Sequence, residues 1–247
     1  MHGPEFARPS PELIRIIRRA STASLTSILR RLGFEDRTIY IHLPPLFPGR
    51  KMARPALTIR CVPGRADLEA DAHAPGTLFP RHPDDAIDAV HPGDVVVQDG
   101  QGSMDGAIFG DLLTLQLKKE GAAGLVCDMA VCDLPLLAEK ELPIFCPGAV
   151  SPGSMMFNVD YNVPIACAGT LVLPGDVIVG DDDGIVAIPH SVVDGVVQEV
   201  LLFEGREAFI RIMLEKGYSQ RGLYPMGPEM EARFQEWWAE NSENPQA

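Results

Sequence analysis

Apolar positions along the chain change their period several times, and the changes outline a run of alternating helices and strands. Leu13, Ile14 and Ile17, then Leu25, Ile28, Leu29 and Leu32, follow helical spacing. Ser21 or Thr22 is placed to cap the second of these helices and Gly33 to end it. After turns at Pro44-Pro45 and Pro48-Gly49, residues 56–62 alternate as a strand does, and residues 66–72 read as a loop or short helix. Two near-copies of one phrase follow, His91-Pro92-Gly93-Asp94-Val95-Val96-Val97 and Leu173-Pro174-Gly175-Asp176-Val177-Ile178-Val179. Each sets a Pro-Gly turn before a β-branched strand. Between them the pattern predicts a helix over 111–119, a strand over 124–127, a helix-like stretch over 135–141 and a strand over 143–146. Residues 163–172 and 185–188 add more strand, and the chain turns helical from Val192 to about Lys216. The last segment, with Trp237-Trp238 among acidic residues, reads as a final helix and a polar tail. Those tryptophans suit either local packing or docking on a neighbouring subunit. Helices alternating with strands argue for an α/β fold, a central sheet flanked by helices.

Composition narrows the functional classes. A net charge of −13 argues against nucleic acid, whose phosphates call for clustered Lys and Arg. The one basic stretch (Arg15, Arg18, Arg19, Arg30, Arg31) has helical spacing and reads as a solvated or subunit-contacting face. No apolar run approaches the roughly 20 residues of a membrane span, and no signal-peptide pattern opens the chain. Five cysteines without a C-x-x-C pair suggest neither a disulfide framework nor a zinc ribbon, and fit a reducing cytoplasm. Residues 1–10 have no periodicity and are expected to fray.

Candidate chemistry concentrates in Gly110-Asp111-Leu112-Leu113 and in Cys132-Asp133. Asp111 reads as the N-cap of its helix, which leaves the Leu112 and Leu113 amides without intrahelical partners and backed by the positive end of the helix dipole. Such an entrance suits a carboxylate or phosphate; a plain capped helix is the alternative. Asp128 and Asp133 bracket a loop after a strand, where α/β proteins place ligands, and an Asp there suits a hard cation such as Mg²⁺. The run Asp181-Asp182-Asp183-Gly184 lacks the downstream Glu of a calcium loop and reads as a hairpin turn. Cys132 is either a nucleophile or an inert thiol, and no His stands nearby in sequence to activate it.

These motifs together resemble the RraA-like family, which joins ribonuclease-activity regulators to class II pyruvate aldolases acting on 4-hydroxy-4-methyl-2-oxoglutarate and 4-carboxy-4-hydroxy-2-oxoadipate. The resemblance runs from about Ser21 to Glu215. It includes residues 92–95, 110–113, Gly121 and Gly124, 143–145, 174–176, and Asp181-x-Asp183-Gly184-Ile185-Val186 with Pro189. It implies a compact layered α/β domain of the swivelling type over residues 13–205, with a flexible N-terminus at 1–12 and a C-terminal helical extension and tail at 206–247. The aldolase signature is Asp, twenty residues, then Arg-Asp; Asp111 matches the first Asp and Asp133 the last. The resemblance implies that Asp133 holds Mg²⁺ or Mn²⁺, that the Leu112 and Leu113 amides and Gly110 bind the carboxylate of a small substrate, and that Asp111 positions a water for proton transfer. It also implies a homotrimer or homohexamer in which an acid of the adjacent subunit completes the metal site, with Glu199, Glu204 and Glu207 as candidates.

One departure matters. Where the signature has Asp-Gly-x-x-Arg-Asp, this chain has Asp128-Met129-Ala130-Val131-Cys132-Asp133, so Cys132 stands for the substrate-contacting Arg and Met129 for the Gly. A thiol does not replace the charge-assisted bonds of a guanidinium. Three functions follow from the resemblance: a metal-dependent lyase on a small 2-oxo acid, by aldol cleavage or oxaloacetate-type decarboxylation; a different enzyme, a hydrolase, isomerase or decarboxylase, with a pocket reshaped by Met129 and Cys132; and a non-catalytic protein-binding regulator.

Overall fold

The structure, a computed structural model, describes residues 2–65, 67, 84–154 and 156–241. Residues 66–72, apart from 67, and the tail beyond 241 lie outside them. The elements, in chain order, are helices α1 (Pro11–Ile17), α2 (Thr22–Arg31) and α3 (Asp36–Ile39), strands β1 (Tyr40–Ile41) and β2 (Met52–Pro63), and helix α4 (Asp84–Asp88). Then come β3 (Val95–Asp99), α5 (Asp111–Lys119), β4 (Gly124–Cys127), α6 (Leu134–Glu139), β5 (Ile144–Phe145) and β6 (Met156–Tyr161). Strands β7 (Ile165–Cys167), β8 (Thr170–Val172), β9 (Val177–Asp181) and β10 (Gly184–Ile188) precede the long helix α7 (Val193–Glu215) and α8 (Pro228–Asn241).

The sheet runs β1-β10-β9-β2-β3-β4-β5, with β6 also on β2. Strand β2 joins its two halves. Residues 52–55 pair antiparallel with β9, while residues 56–60 pair parallel with β3. The parallel half, β2-β3-β4-β5, is crossed over by α5 and α6 and is covered on both faces. Val96, Leu125 and Cys127 point into one core with Phe109, Leu117 and Leu137; Val95, Val97 and Val126 point into another, closed by the β7-β8 hairpin. Burial on both sides is why these strands read as unbroken apolar runs rather than alternating ones. A third core packs α1, α2 and α7 on β9 and β10.

Most expected elements are present. Ser21 caps α2 by accepting the Ser24 N–H, and both Pro-Gly turns need glycine, with φ +94° at Gly93 and +87° at Gly175. Asp181 to Gly184 is indeed the β9-β10 hairpin; its carboxylates tie the fold, Asp181 accepting from Thr22 N and Oγ1 and Asp182 from Gly49 N.

Two expectations need correction. The N-terminal residues are tied down: Arg8 makes a paired contact, 2.8 Å twice, to the fully buried Asp94, and Gly3 N–H donates to Tyr161 O. A buried carboxylate needs a paired cation, so residues 2–10 serve as the strap that delivers it. No domain boundary falls at 205/206 either, because α7 runs through it unbroken. Its first half packs on α1 and α2, while Phe209 and Met213 pack on Phe234 of α8. Trp237 and Trp238 belong to that local cluster, and Trp238 lies so close to Gly205 that a Cβ there would sit 2.0 Å from its ring. No helix among the described residues is long and apolar enough to cross a membrane.

Candidate active site

The site lies at the carboxyl ends of β3 and β4, where α5 and α6 begin. Helix α5 has Gly110, not Asp111, as its N-cap, so no side chain caps it; Asp111 is the first helical residue. The reason is space. A Cβ on Gly110 would lie 2.5 Å from Asp133 Oδ2 and 2.6 Å from Cys132 Sγ. Its backbone is extended (φ −127°), so the glycine is required by close approach and not by torsion. The first α5 bond runs from Thr114 N–H to Gly110 O, and the Asp111 N–H donates instead to Asp133 Oδ2 at 3.2 Å. Among the described residues no acceptor meets the amides of Leu112 and Leu113, which remain as an anion-facing pair at the dipole's positive end. Leu112 is 78% exposed, so the entrance is open.

Asp133 occupies the N-cap of α6 yet does not cap it. Its backbone is left-handed (φ +59°, ψ +38°), and its side-chain hydrogen bonds, from Asp111 N–H and from the Cys132 thiol at 3.4 Å, both fall on Oδ2. Asp133 thus gives up its own cap and aims Oδ2 at the neighbouring helix entrance.

Nothing among the described residues lowers the pKa of the Cys132 thiol. Burial pushes its thiol above the usual range, and the Asp133 carboxylate beside it adds to the shift. The thiol donates to Asp133 Oδ2. Met129 does not meet the entrance: it is fully buried, filling the space beside Gly100. Asp128 is likewise structural, accepting from Gly100 N (2.5 Å) and Ala168 N (2.9 Å), and burial raises its carboxyl above the usual range.

The sequence reading missed Lys140. Its ammonium lies 2.6 Å from Asp111 Oδ1, while its main-chain oxygen accepts from Lys118 Nζ, also at 2.6 Å. Asp111 Oδ1 is buried and takes no directed hydrogen bond, so this charge contact is what compensates it. Nothing in the spacing marks Lys140; a Lys after a helix is an ordinary partner for the dipole.

Glu199, Glu204 and Glu207 all lie on α7, away from these residues in the fold. Glu199 pairs with Arg31 and Glu207 with Arg211; burial raises the Glu204 carboxyl. No group of three or more His, Cys, Asp or Glu able to hold a metal occurs among the described residues. Asp133 is exposed with its hydrogen bonds confined to Oδ2, which fits a hard cation held by one carboxylate and several waters.

An open helix entrance met by the Asp133 carboxylate, at the carboxyl ends of parallel strands, is the place where α/β proteins bind ligands. The chain belongs to the RraA-like family (Aldolase/RraA), whose pattern matches residues 22–187. A relative in Halalkalibacterium halodurans named "Putative 4-hydroxy-4-methyl-2-oxoglutarate aldolase" is 36% identical over 141 residues, 54% of this chain and 67% of its own length. The DlpA protein of Legionella pneumophila is 28% identical over 84% of this chain, which spans only 32% of DlpA. The solved structure of Streptomyces coelicolor RraAS2, described as an unusual member of the RNase ES inhibitor RraA family, is 34% identical with a TM-score of 0.73. That match covers 84% of this chain and 99% of RraAS2.

Proposed function

We propose that this protein is a lyase acting on a small 2-oxo acid, by aldol cleavage that releases pyruvate or by decarboxylation of an oxaloacetate-type substrate. The observation that carries the reading is the bond from the Asp111 main-chain N–H to the Asp133 carboxylate, which brings residues 22 positions apart to one open helix entrance. The Leu112 and Leu113 amides would bind the substrate's 1-carboxylate and so fix the adjacent oxo group. In cleavage the 4-hydroxyl loses its proton, the C3–C4 electron pair passes into the pyruvyl half as an enolate, and C3 is then protonated. Asp111, paired with Lys140, would orient the water that carries these protons. Asp133 would hold Mg²⁺ or Mn²⁺, whose Lewis acidity stabilises the enolate charge. Cys132 donates to Asp133 and offers the substrate no charge, so turnover slower than an arginine-bearing site by about 10²-fold is expected, and a substrate different from that of the named relatives is favoured.

The assembly we propose is a homotrimer or homohexamer. Of the three α7 acids, Glu204 is the one without an ion pair among the described residues, and is left to serve an adjacent copy's metal. A second reading, a non-catalytic protein-binding regulator, is supported by the 34% identity to RraAS2 together with the Cys at position 132.

The test is calorimetric and enzymatic. Wild type should take up Mg²⁺ or Mn²⁺, bind oxalate, and release pyruvate from 4-hydroxy-4-methyl-2-oxoglutarate or CO₂ from oxaloacetate; Asp133→Ala should lose metal uptake and turnover together. Metal uptake unchanged in Asp133→Ala, or dependent on Asp181 to Asp183, would overturn the assignment. Metal-bound wild type without turnover on any 2-oxo acid would favour the regulator.

A further inference from the structure

Without a bound metal the site carries two carboxylates and a thiol that brings no positive charge, so an incoming anion would meet net negative charge unless something offsets it. Among the described residues the one ion pair made by either carboxylate is that of Asp111 with Lys140. Lys140 is unusually well prepared for the task. It is the C-cap residue of α6, its main-chain oxygen is held by Lys118, and its side chain is only 18% exposed. Much of the entropy usually lost in ordering a lysine is therefore already spent in the fold. Its contact also reaches a carboxylate oxygen that is buried and has no directed hydrogen bond of its own.

We propose that Lys140 is the positioning cation of this site: it holds the Asp111 carboxylate in place at the start of α5, and it supplies a positive charge that the thiol at position 132 does not. The proposal rests on reading the entrance as a carboxylate site and extends it to a named residue. Asp111 and Asp133 contribute two negative charges, and Lys140 returns one through its contact with Asp111. The ligand class it suits is a small anion with two adjacent oxygens, such as a 2-oxo carboxylate.

Oxalate titrated calorimetrically into metal-free protein is the probe. Wild type should bind; Lys140→Met should bind about 10- to 100-fold more weakly, the worth of a hydrogen bond to a charged group. Lys140→Arg should stay within a few-fold of wild type, and Cys132→Arg added to Lys140→Met should recover most of the loss, because charge has returned to the same entrance. With substrate, Lys140→Met should lower kcat more than it raises KM, since Asp111 acts in proton transfer. Lys140→Gln carries the same expectations should Lys140→Met not fold. If wild type does not bind oxalate, the entrance reading falls and this proposal with it. If wild type binds and the neutral variants bind equally well, Lys140 alone is misassigned. Weakened binding that Cys132→Arg does not repair also overturns the proposal, since it marks a merely structural pin between α5 and α6.

Discussion

Replacing Gly110 with Ala adds one methyl group at the point where the two halves of the site touch. The Gly110 backbone at φ −127° is open to alanine, so no torsional penalty intervenes and the outcome reads the contact alone. The added Cβ would stand 2.5 Å from Asp133 Oδ2, against a carbon–oxygen contact of about 3.3 Å, so the carboxylate must retreat by about 0.8 Å. The Cys132 sulfur, at 2.6 Å, must move by about 1 Å against an ordinary contact of about 3.5–4.0 Å. Both belong to one backbone segment, and the Asp133 side chain is also held by the Asp111 N–H at 3.2 Å. The easy escape is a rotation that breaks this bond. Overpacking of this kind costs about 1–3 kcal/mol. For a chain of this size that lowers Tm by roughly 2–12 °C. A misplacement near 1 Å at a reacting centre lowers turnover by about 10²-fold. Thermal unfolding, oxalate titration and a pyruvate-release assay on Gly110→Ala check all three. The control is Gly195→Ala on α7, where a Cβ meets nothing within 4 Å; helix propensity should make that protein more stable by about 0.5–1 kcal/mol. Wild-type Tm and oxalate affinity in Gly110→Ala would show that Cys132 and Asp133 do not approach α5 in this way.

Other outcomes follow from the same contacts. Arg8→Ala should lower stability by about 3 kcal/mol, read by denaturant unfolding, because Asp94 is fully buried and loses its paired cation. Gly205→Ala should push Trp238 from α7, exposing the cluster it shares with Phe234 and shifting tryptophan emission to the red without altering oxalate binding. Burial raises the Asp128 carboxyl, so the folded state binds that proton more tightly than the unfolded chain. This stabilising contribution is present at low pH and is lost as pH climbs above the ordinary carboxylate range; in Asp128→Asn, Tm should depend less on pH across that window.

What the sequence discloses and what it hides divide by the range of the interaction. The β3-α5-β4 alternation, the two Pro-Gly turns and the Asp-Gly hairpin are local, and each is written in residues within a few positions of one another. The site is written across the fold. Asp94 fixes the N-terminal strap through a residue 86 positions away, and Lys140 reaches Asp111 through a side chain whose direction no periodicity reveals. Asp111 looked like a cap because an Asp before an apolar helical run usually is one. The cap is Gly110, because the chain 22 residues later needs the volume a Cβ would take. Met129 stands in a signature position, yet it turns into the core and fills space against Gly100. A glycine outside the left-handed region, opening a helix, is therefore a local trace of the long-range contact, beside the twenty-residue spacing that pairs Asp111 with Asp133. Torsion does not ask for it there, so something else must need the space, and here that something is the Cys132-Asp133 pair.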